Sequence, residues 1–461
     1  MSSRVLTEWK PEDNAFWEKE GKAIANRNLW ISIPALFLSF AVWMVWSVVV
    51  VNLSNIGFKF DPNKLFWLAA LPGLTGATLR IFYSFMVPIF GGRKWTTIST
   101  ATLLIPALGI GFAVRDPNTS YTTMLILALL CGFGGGNFAS SMANISFFFP
   151  KAQKGTALGL NAGLGNLGVS AMQFLVPLVI TTGMFSALCG DSQICVIKGQ
   201  TTSIWMQNAG FVWVPLILAS TIAAWFGMND IASAKASFKE QSIIFRRRHN
   251  WIMCWLYLGT FGSFIGYSAG LPLLIKSQFP AENPTQYAFL GPLVGALARP
   301  LGGWVADKLG GARVTFWNFM VMAVAVFGVL FFLPYGGVGG NFWGFLAMFI
   351  LLFFTTGIGN GSTFRMIPVI FLTERQRDAQ GKGADAQEQA VKDAGKEAAA
   401  VLGFTSAFAA YGAFFIPKGF GTSIAATGGP QAALYGFVFF YVTCIIMTWW
   451  YYSRKNAEMP C

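Results

Sequence analysis

Two arginines stand alone in long apolar runs, at matching places. In LPGLTGATLRIFYSFMVPIFGGRK, Arg80 precedes Gly91 by eleven positions (91 − 80). In LGPLVGALARPLGGWVADKLGGAR, Arg299 precedes Gly310 by the same interval (310 − 299). Gly76 and Gly295 each stand four residues before the arginine, about one helical turn. A basic residue, Arg93 or Arg313, follows each glycine pair. A guanidinium is a planar fork of paired N–H donors that matches a planar oxyanion. The chemistry such a pair offers is the reversible holding of an anion rather than bond making.

At a rise of about 1.5 Å per residue, each arginine lies about 15 Å from the nearer end of its run, near the middle of a roughly 30 Å hydrocarbon core. A cation there costs about 2.5–3.5 kcal/mol, so it faces a cavity or a partner. The 19 Asp and Glu are all in loops, termini or span ends. Asp61, Asp116, Asp191 and Glu282 fall toward one side; Asp230, Asp307 and the acids from Glu374 to Glu397 fall toward the other. No carboxylate is expected beside Arg80 or Arg299. The expected partner is an anion that comes and goes, and with only two deep charges a small monoanion fits most simply.

The surrounding chain has 461 residues, 54% hydrophobic and 11% charged, with 45 Phe and 17 Trp. Soluble domains carry about 25% charged residues. Apolar runs of membrane-crossing length recur throughout, so the class is all-α polytopic membrane protein. Twelve spans are expected, near 29–53, 65–90, 95–114, 121–148, 154–183, 203–228, 251–275, 283–308, 312–334, 341–372, 400–424 and 430–453. They divide into an N-terminal six-helix bundle (29–228), a linker (229–250) and a C-terminal six-helix bundle (251–453) that includes a polar loop, 373–399. Residues 1–28 read as a short helix on the cytoplasmic surface, retained rather than cleaved because no signal-peptide pattern precedes the first span. Residues 454–461 form a cytoplasmic tail.

Lys and Arg cluster in alternate loops: Arg93 and Lys94, Lys151 and Lys154, Lys235 through Arg248, Lys308 and Arg313, and Arg375 through Lys396. The opposite loops hold little beyond Lys59, Lys64, Arg115, Lys198 and Lys276. The net charge of +13 is therefore positive-inside bias, with both termini cytoplasmic, rather than a nucleic-acid surface. Arg365 is shallow enough to snorkel to the interface or to touch a transport path, and Lys418 is expected to snorkel. Cys189 and Cys195 share a loop and could pair. No metal-ligand spacing occurs and no cofactor is expected. GFGGGN and GIGNGS resemble phosphate loops only in fragments, with no strand before them, and His249 is the only histidine. An enzyme is thereby disfavoured. A membrane sensor that binds the anion and signals is a third class, with no signalling domain to support it.

The motifs ANRNLWIS, YSFMVPIFGGRKW, NFASSMANISFFFPK, GTALGLNAGLGNLGVS, TFGSFIGYSAG and AFFIPKGFG resemble the nitrate/nitrite porters of the major facilitator superfamily, over nearly the whole chain. The resemblance implies the major facilitator fold, two six-helix bundles related by a pseudo-two-fold axis, and alternating access in the bacterial inner membrane. It implies that Arg80 and Arg299 bind nitrate or nitrite, with Phe138, Tyr257, Phe261 and Asn166 around the anion. Taken alone, Tyr257 and Phe261 are an i, i+4 pair that packing would equally produce. By the same resemblance Gly155, Gly159, Gly163, Gly165 and Gly168 form one gating signature, Gly403 and Gly412 belong to a second, and Asp307 stabilises one conformational state. Gly155, Gly159 and Gly163 repeat every four residues, a row expected to let a neighbouring helix approach closely.

The second signature, LGFTSAFAAYGAFFIP, departs from the family pattern at Ala409, Tyr411 and Ala413, and Ala162 departs in the first. The first-half loop PIFGGRK also lacks the acid that Asp307 provides in the second half. With no acid or histidine at mid-depth to titrate, the expected mechanism is exchange of nitrate for nitrite by a functional monomer in lipid. The alternative is proton-coupled nitrate symport.

Overall fold

The computed structural model describes residues 4–184, 186, 190–197, 200–232, 234, 242–336 and 339–461. Twelve helical spans among them are long and apolar enough to cross a membrane. They are α1 (Asn14–Ile56), α2 (Pro62–Tyr83), α3 (Gly92–Ala113), α4 (Tyr121–Phe148), α5 (Lys151–Val179) and α6 (Asn208–Gly227), then α7 (Arg248–Gln278), α8 (Pro284–Leu309), α9 (Gly311–Phe332), α10 (Phe342–Asp378), α11 (Ala384–Thr427) and α12 (Gln431–Ser453). Local chemistry sets several starts. Asp61 caps α2 by accepting from the Lys64 amide at 2.9 Å, with Pro62 in the first turn. Ser120 caps α4 and Asn341 caps α10 in the same way.

Two helices extend beyond the expected spans. Residues 14–28 are not a separate surface helix: capped by Asp13, the helix runs on into the first span as α1. Glu, Lys and Ala fill the stretch after Pro11, and nothing there breaks a helix. Trp17 packs on Phe149 at 5.8 Å and is buried. Likewise the polar loop 373–399 is helical from Ala384 and continuous with span eleven, because AQEQAVKDAGKEAAA is made of strong helix formers.

Four short strands accompany the helices. β1 (Val5–Leu6), β2 (Gln193–Ile197), β3 (Gln200–Ile204) and β4 (Asp230–Ile231) form two pairs, β1 parallel to β4 and β2 antiparallel to β3. The Cys195 thiol donates to the Thr202 carbonyl at 3.2 Å. Cys189, its expected partner, lies outside the described residues, as do Lys198 and Lys235.

The first six spans pack chiefly on one another, and so do the last six. The two sets meet where α2 lies on α11, α1 on α7 and α5 on α8. The first and last described residues and the connections 84–91, 228–232, 242–247 and 379–383 gather at one end of the molecule, hereafter the tail end; the other is the far end. The helix pair carrying Arg80 is set by glycine, since a methyl on Gly135 of α4 would fall 2.6 Å from the Gly76 Cα of α2.

Gly91 and Gly310 adopt the same left-handed φ of 89° before α3 and α9, as the repeated glycine pairs lead one to expect. Each turn is capped from afar. The Arg93 amide donates to Asp230 Oδ1 at 2.8 Å, and the Arg93 guanidinium pairs with Oδ2 at 3.2 Å. The Ala312 amide donates to the Cys461 carbonyl at 2.9 Å. The acid missing from PIFGGRK is thus supplied by Asp230, beyond α6, while the segment beyond α12 serves the second half.

Candidate functional site

Arg80 points into the protein from α2 and is fully buried. Its Nε donates to the Gly135 carbonyl of α4 at 3.0 Å, and its Nη1 donates to the Ser406 carbonyl of α11, also at 3.0 Å. Three rings surround the guanidinium: Phe138 at 4.7 Å, Trp43 at 5.2 Å and Phe261 at 5.4 Å from carbon to ring centre. Trp43 is held in place by its indole N–H, which donates to the Pro72 carbonyl at 2.7 Å. Aromatic faces attract a cation and leave its N–H edges free.

Arg299 enters from α8. Its Nη2 donates to the Tyr257 hydroxyl at 3.2 Å, and its guanidinium lies 5.2 Å from the Phe364 ring of α10. Tyr257 stacks on Phe261 at 5.5 Å, and Phe261 stacks on Phe138 at 6.3 Å. One file of rings from α7 and α4 therefore runs from one arginine to the other. A π turn, Leu258–Gly262, follows Tyr257 and carries Phe261; such turns widen a helix and reorient its side chains, and they recur at functional sites.

Two donors are left over. Arg80 Nη2 and Arg299 Nη1 are buried without a hydrogen-bond partner. Among the described residues neither arginine has an Asp or Glu within ion-pair distance. A buried donor with nothing to meet is costly, and two uncompensated cations in a low dielectric are more so. The arrangement can hold an anion that takes one N–H edge from each arginine, between aromatic walls.

The structure thus brings together Arg80, Arg299, Phe138, Tyr257 and Phe261. Asn166 is buried on α5 with Oδ1 unpartnered, and the structure does not join it to either arginine. Trp43 and Phe364 were missed, because nothing in the sequence marks one indole or one phenyl among 17 Trp and 45 Phe. The carbonyls of Gly135 and Ser406 carry no side-chain signal at all.

The glycines of the two signatures separate into two groups. Gly165 and Gly168 lie against α1, at Leu36 and Phe37, and Gly412 lies against Gly262 of α7. Around Gly155, Gly159, Gly163 and Gly403 an added methyl would find nothing within 4 Å, and the same holds for Gly303 of α8. The close approach expected of the Gly155, Gly159 and Gly163 row is absent. The reason is tertiary: α5 meets α8 at the far end, where Phe174 packs on Phe289 at 5.1 Å, while its first turns stand clear at the tail end. Ala413, one of the departures, sits on Gly73 of α2, and the Tyr411 hydroxyl bonds Thr78 Oγ1 of α2 at 2.9 Å.

Other charges find partners of their own. Arg365 does not reach the file of rings: it pairs with Asp307, both half-exposed at the tail end beside a cavity of about 170 Å³. Lys418 donates to Asn63 Oδ1 of α2 at 3.3 Å and lies 4.5 Å from the Trp67 ring. Glu397, from the polar stretch, is buried and binds Arg247 at 2.7 Å and Arg375 at 2.6 Å. Burial opposes the Arg247 charge, but Glu397, Glu374 and Asp378 outweigh it and hold its pKa above the ordinary value.

Residues 35–383 match the Major Facilitator Superfamily. The chain is 53% identical over 456 residues to the nitrate/nitrite transporter NarU of Escherichia coli (strain K12), covering 99% of this chain and 97% of that one. It is 43% identical over 464 residues to the probable nitrate/nitrite antiporter NarK2 of Thermus thermophilus, covering 99% and 98%. It is 24% identical over 412 residues to the nitrite extrusion protein of Bacillus subtilis (strain 168), covering 88% and 89%. A transporter rather than an enzyme, built from twelve spans around two arginines, the chain belongs to the major facilitator superfamily and, within it, to the nitrate/nitrite porters.

Proposed function

We propose that this multi-pass membrane protein exchanges nitrate and nitrite across a bacterial inner membrane. The anion sits between Arg80 and Arg299, each giving it one free N–H edge, with Phe138, Phe261 and Tyr257 as walls and Asn166 as a donor that approaches in another state. The observation that carries this reading is the pair of buried, unpartnered guanidinium donors, Arg80 Nη2 and Arg299 Nη1. Relatives named for nitrate and nitrite support the choice of anion.

In this reading residues 29–228 and 251–453 are two bundles that rock about the site, and both termini are cytoplasmic. The open space around Gly155, Gly159, Gly163, Gly303 and Gly403 then marks a cavity open to the cytoplasm, with the far mouth closed. Gly165, Gly168 and Gly412 are the hinge contacts, and Asp307 with Arg365 steadies this state. An empty closed site would enclose two bare cations, so reorientation needs a bound anion, which is the condition for exchange.

Nitrate uptake into proteoliposomes of the purified monomer tests it. Uptake that requires internal nitrite and is flat between about pH 6 and pH 8 is expected, since no acid sits at mid-depth to titrate near neutral pH. Uptake into empty vesicles driven by a pH gradient would replace exchange with proton symport.

A further inference from the structure

Two lysines at the far end cross from one set of spans to the other, and both do so in the same direction. Lys276, near the end of α7, donates to Ser54 Oγ at 2.7 Å and to the Val51 carbonyl of α1. Those acceptors lie where α1 tightens into the 3-10 turn Ser54–Ile56 and runs out of its own amide donors. A cation at a helix C-terminus also meets the negative end of the helix dipole. Lys418 of α11 reaches Asn63 and the Trp67 face of α2. Each lysine thus ties the second set to the first.

All four partners are neutral. The acid nearest in sequence to these partners, Asp61, caps its own helix and pairs with Lys64 at 3.7 Å, and Glu282, six residues after Lys276, makes no ion pair among the described residues. The choice of partners matters. A mouth latched by ion pairs would, on opening, leave carboxylates facing an incoming anion and repel it. A latch of cations on neutral acceptors leaves two uncompensated ammonium groups at the rim instead.

We infer that Lys276 and Lys418 form the latch of the far mouth, and that on opening the freed ammonium groups become a collecting site for a small inorganic anion. The inference rests on the transport reading above but not on exchange. Like charges at an entrance raise the local anion concentration and the arrival rate, an effect that salt removes.

The test uses the full chain with spin labels at Asn55 and Gln278, and compares three proteins. They are the wild type, Lys276→Met with Lys418→Met, and Ser54→Ala with Asn63→Ala, which weakens the latch but keeps both charges. Both double variants are expected to enlarge the long-distance population in pulsed dipolar spectra. In proteoliposomes only the double methionine variant should raise the KM for external nitrate, roughly three-fold or more at low salt, with the difference gone near 0.5 M salt. An unchanged distance distribution in both variants overturns the latch. A shifted distribution with unchanged KM overturns the collecting site. Since the distance is read without substrate, a wild type that carried some other anion would fail the nitrate assay alone.

Discussion

Arg80 of α2 donates from Nη1 to the backbone carbonyl of Ser406 on α11, 3.0 Å away, so the residue whose Nη2 is buried without a partner also ties the two sets of spans together. Nε is committed to Gly135 of α4, and the orientation of the free edge follows from those two bonds. Lysine cannot reproduce three fixed directions from one ammonium. Arg80→Lys is expected to lower exchange by about 10- to 100-fold, the equivalent of one charge-assisted bond. Arg80→Ala and Arg299→Ala should abolish it. Counterflow of labelled nitrate in proteoliposomes reads all three, and wild-type rates in Arg80→Lys would remove the arginine from the site.

Tyr411 joins Thr78 across the same interface, hydroxyl to hydroxyl at 2.9 Å. Tyr411→Phe removes one neutral bond, worth about 1 kcal/mol, from the state seen here and leaves the aromatic packing in place. Faster exchange, by up to about five-fold, with a nearly unchanged melting temperature is the expected outcome. Slower exchange would mean that the bond belongs to the rate-limiting state rather than to this one.

Gly159 and Gly168 occupy the same helix and should respond oppositely. At Gly168 an added methyl meets Phe40 at 3.2 Å and the Phe37 backbone, so Gly168→Ala is expected to lose about 1–3 kcal/mol of stability. At Gly159 it meets open space, and Ala favours the helix by about 1 kcal/mol. Gly159→Ala should therefore melt no lower than wild type while exchanging more slowly, because the row must close against a neighbour in the other state. Melting in detergent beside counterflow separates the two effects; full activity in Gly159→Ala would remove the row from the gate.

Asp230 and Arg93 are a buried pair that also caps α3. Asp230→Asn leaves the guanidinium without its counter-charge, a change that costs about 3–5 kcal/mol in buried pairs. A clear fall in melting temperature is expected, with partial recovery in the double variant Arg93→Met with Asp230→Asn, which takes away the stranded cation.

What the sequence determined was chemical and local. Twelve apolar runs demanded twelve helices, because a backbone in lipid must bond within itself. The positions of 19 acids, read one by one, left Arg80 and Arg299 without a partner before any contact was known. What only the tertiary structure decided was which distant atom met which. Ser406 lends a carbonyl to Arg80 across 326 positions, Lys418 reaches Asn63 across 355, and Asp230 caps a turn 137 residues earlier. Glu397 is buried although its neighbours are polar, and the Gly155, Gly159 and Gly163 row faces open space although its spacing is that of a packed face. The physical reason is common to all of these. Helix formation depends on bonds four residues apart, which the order of residues specifies directly. Which helices touch, and at which end, is decided by packing among surfaces that nearly every apolar span could offer.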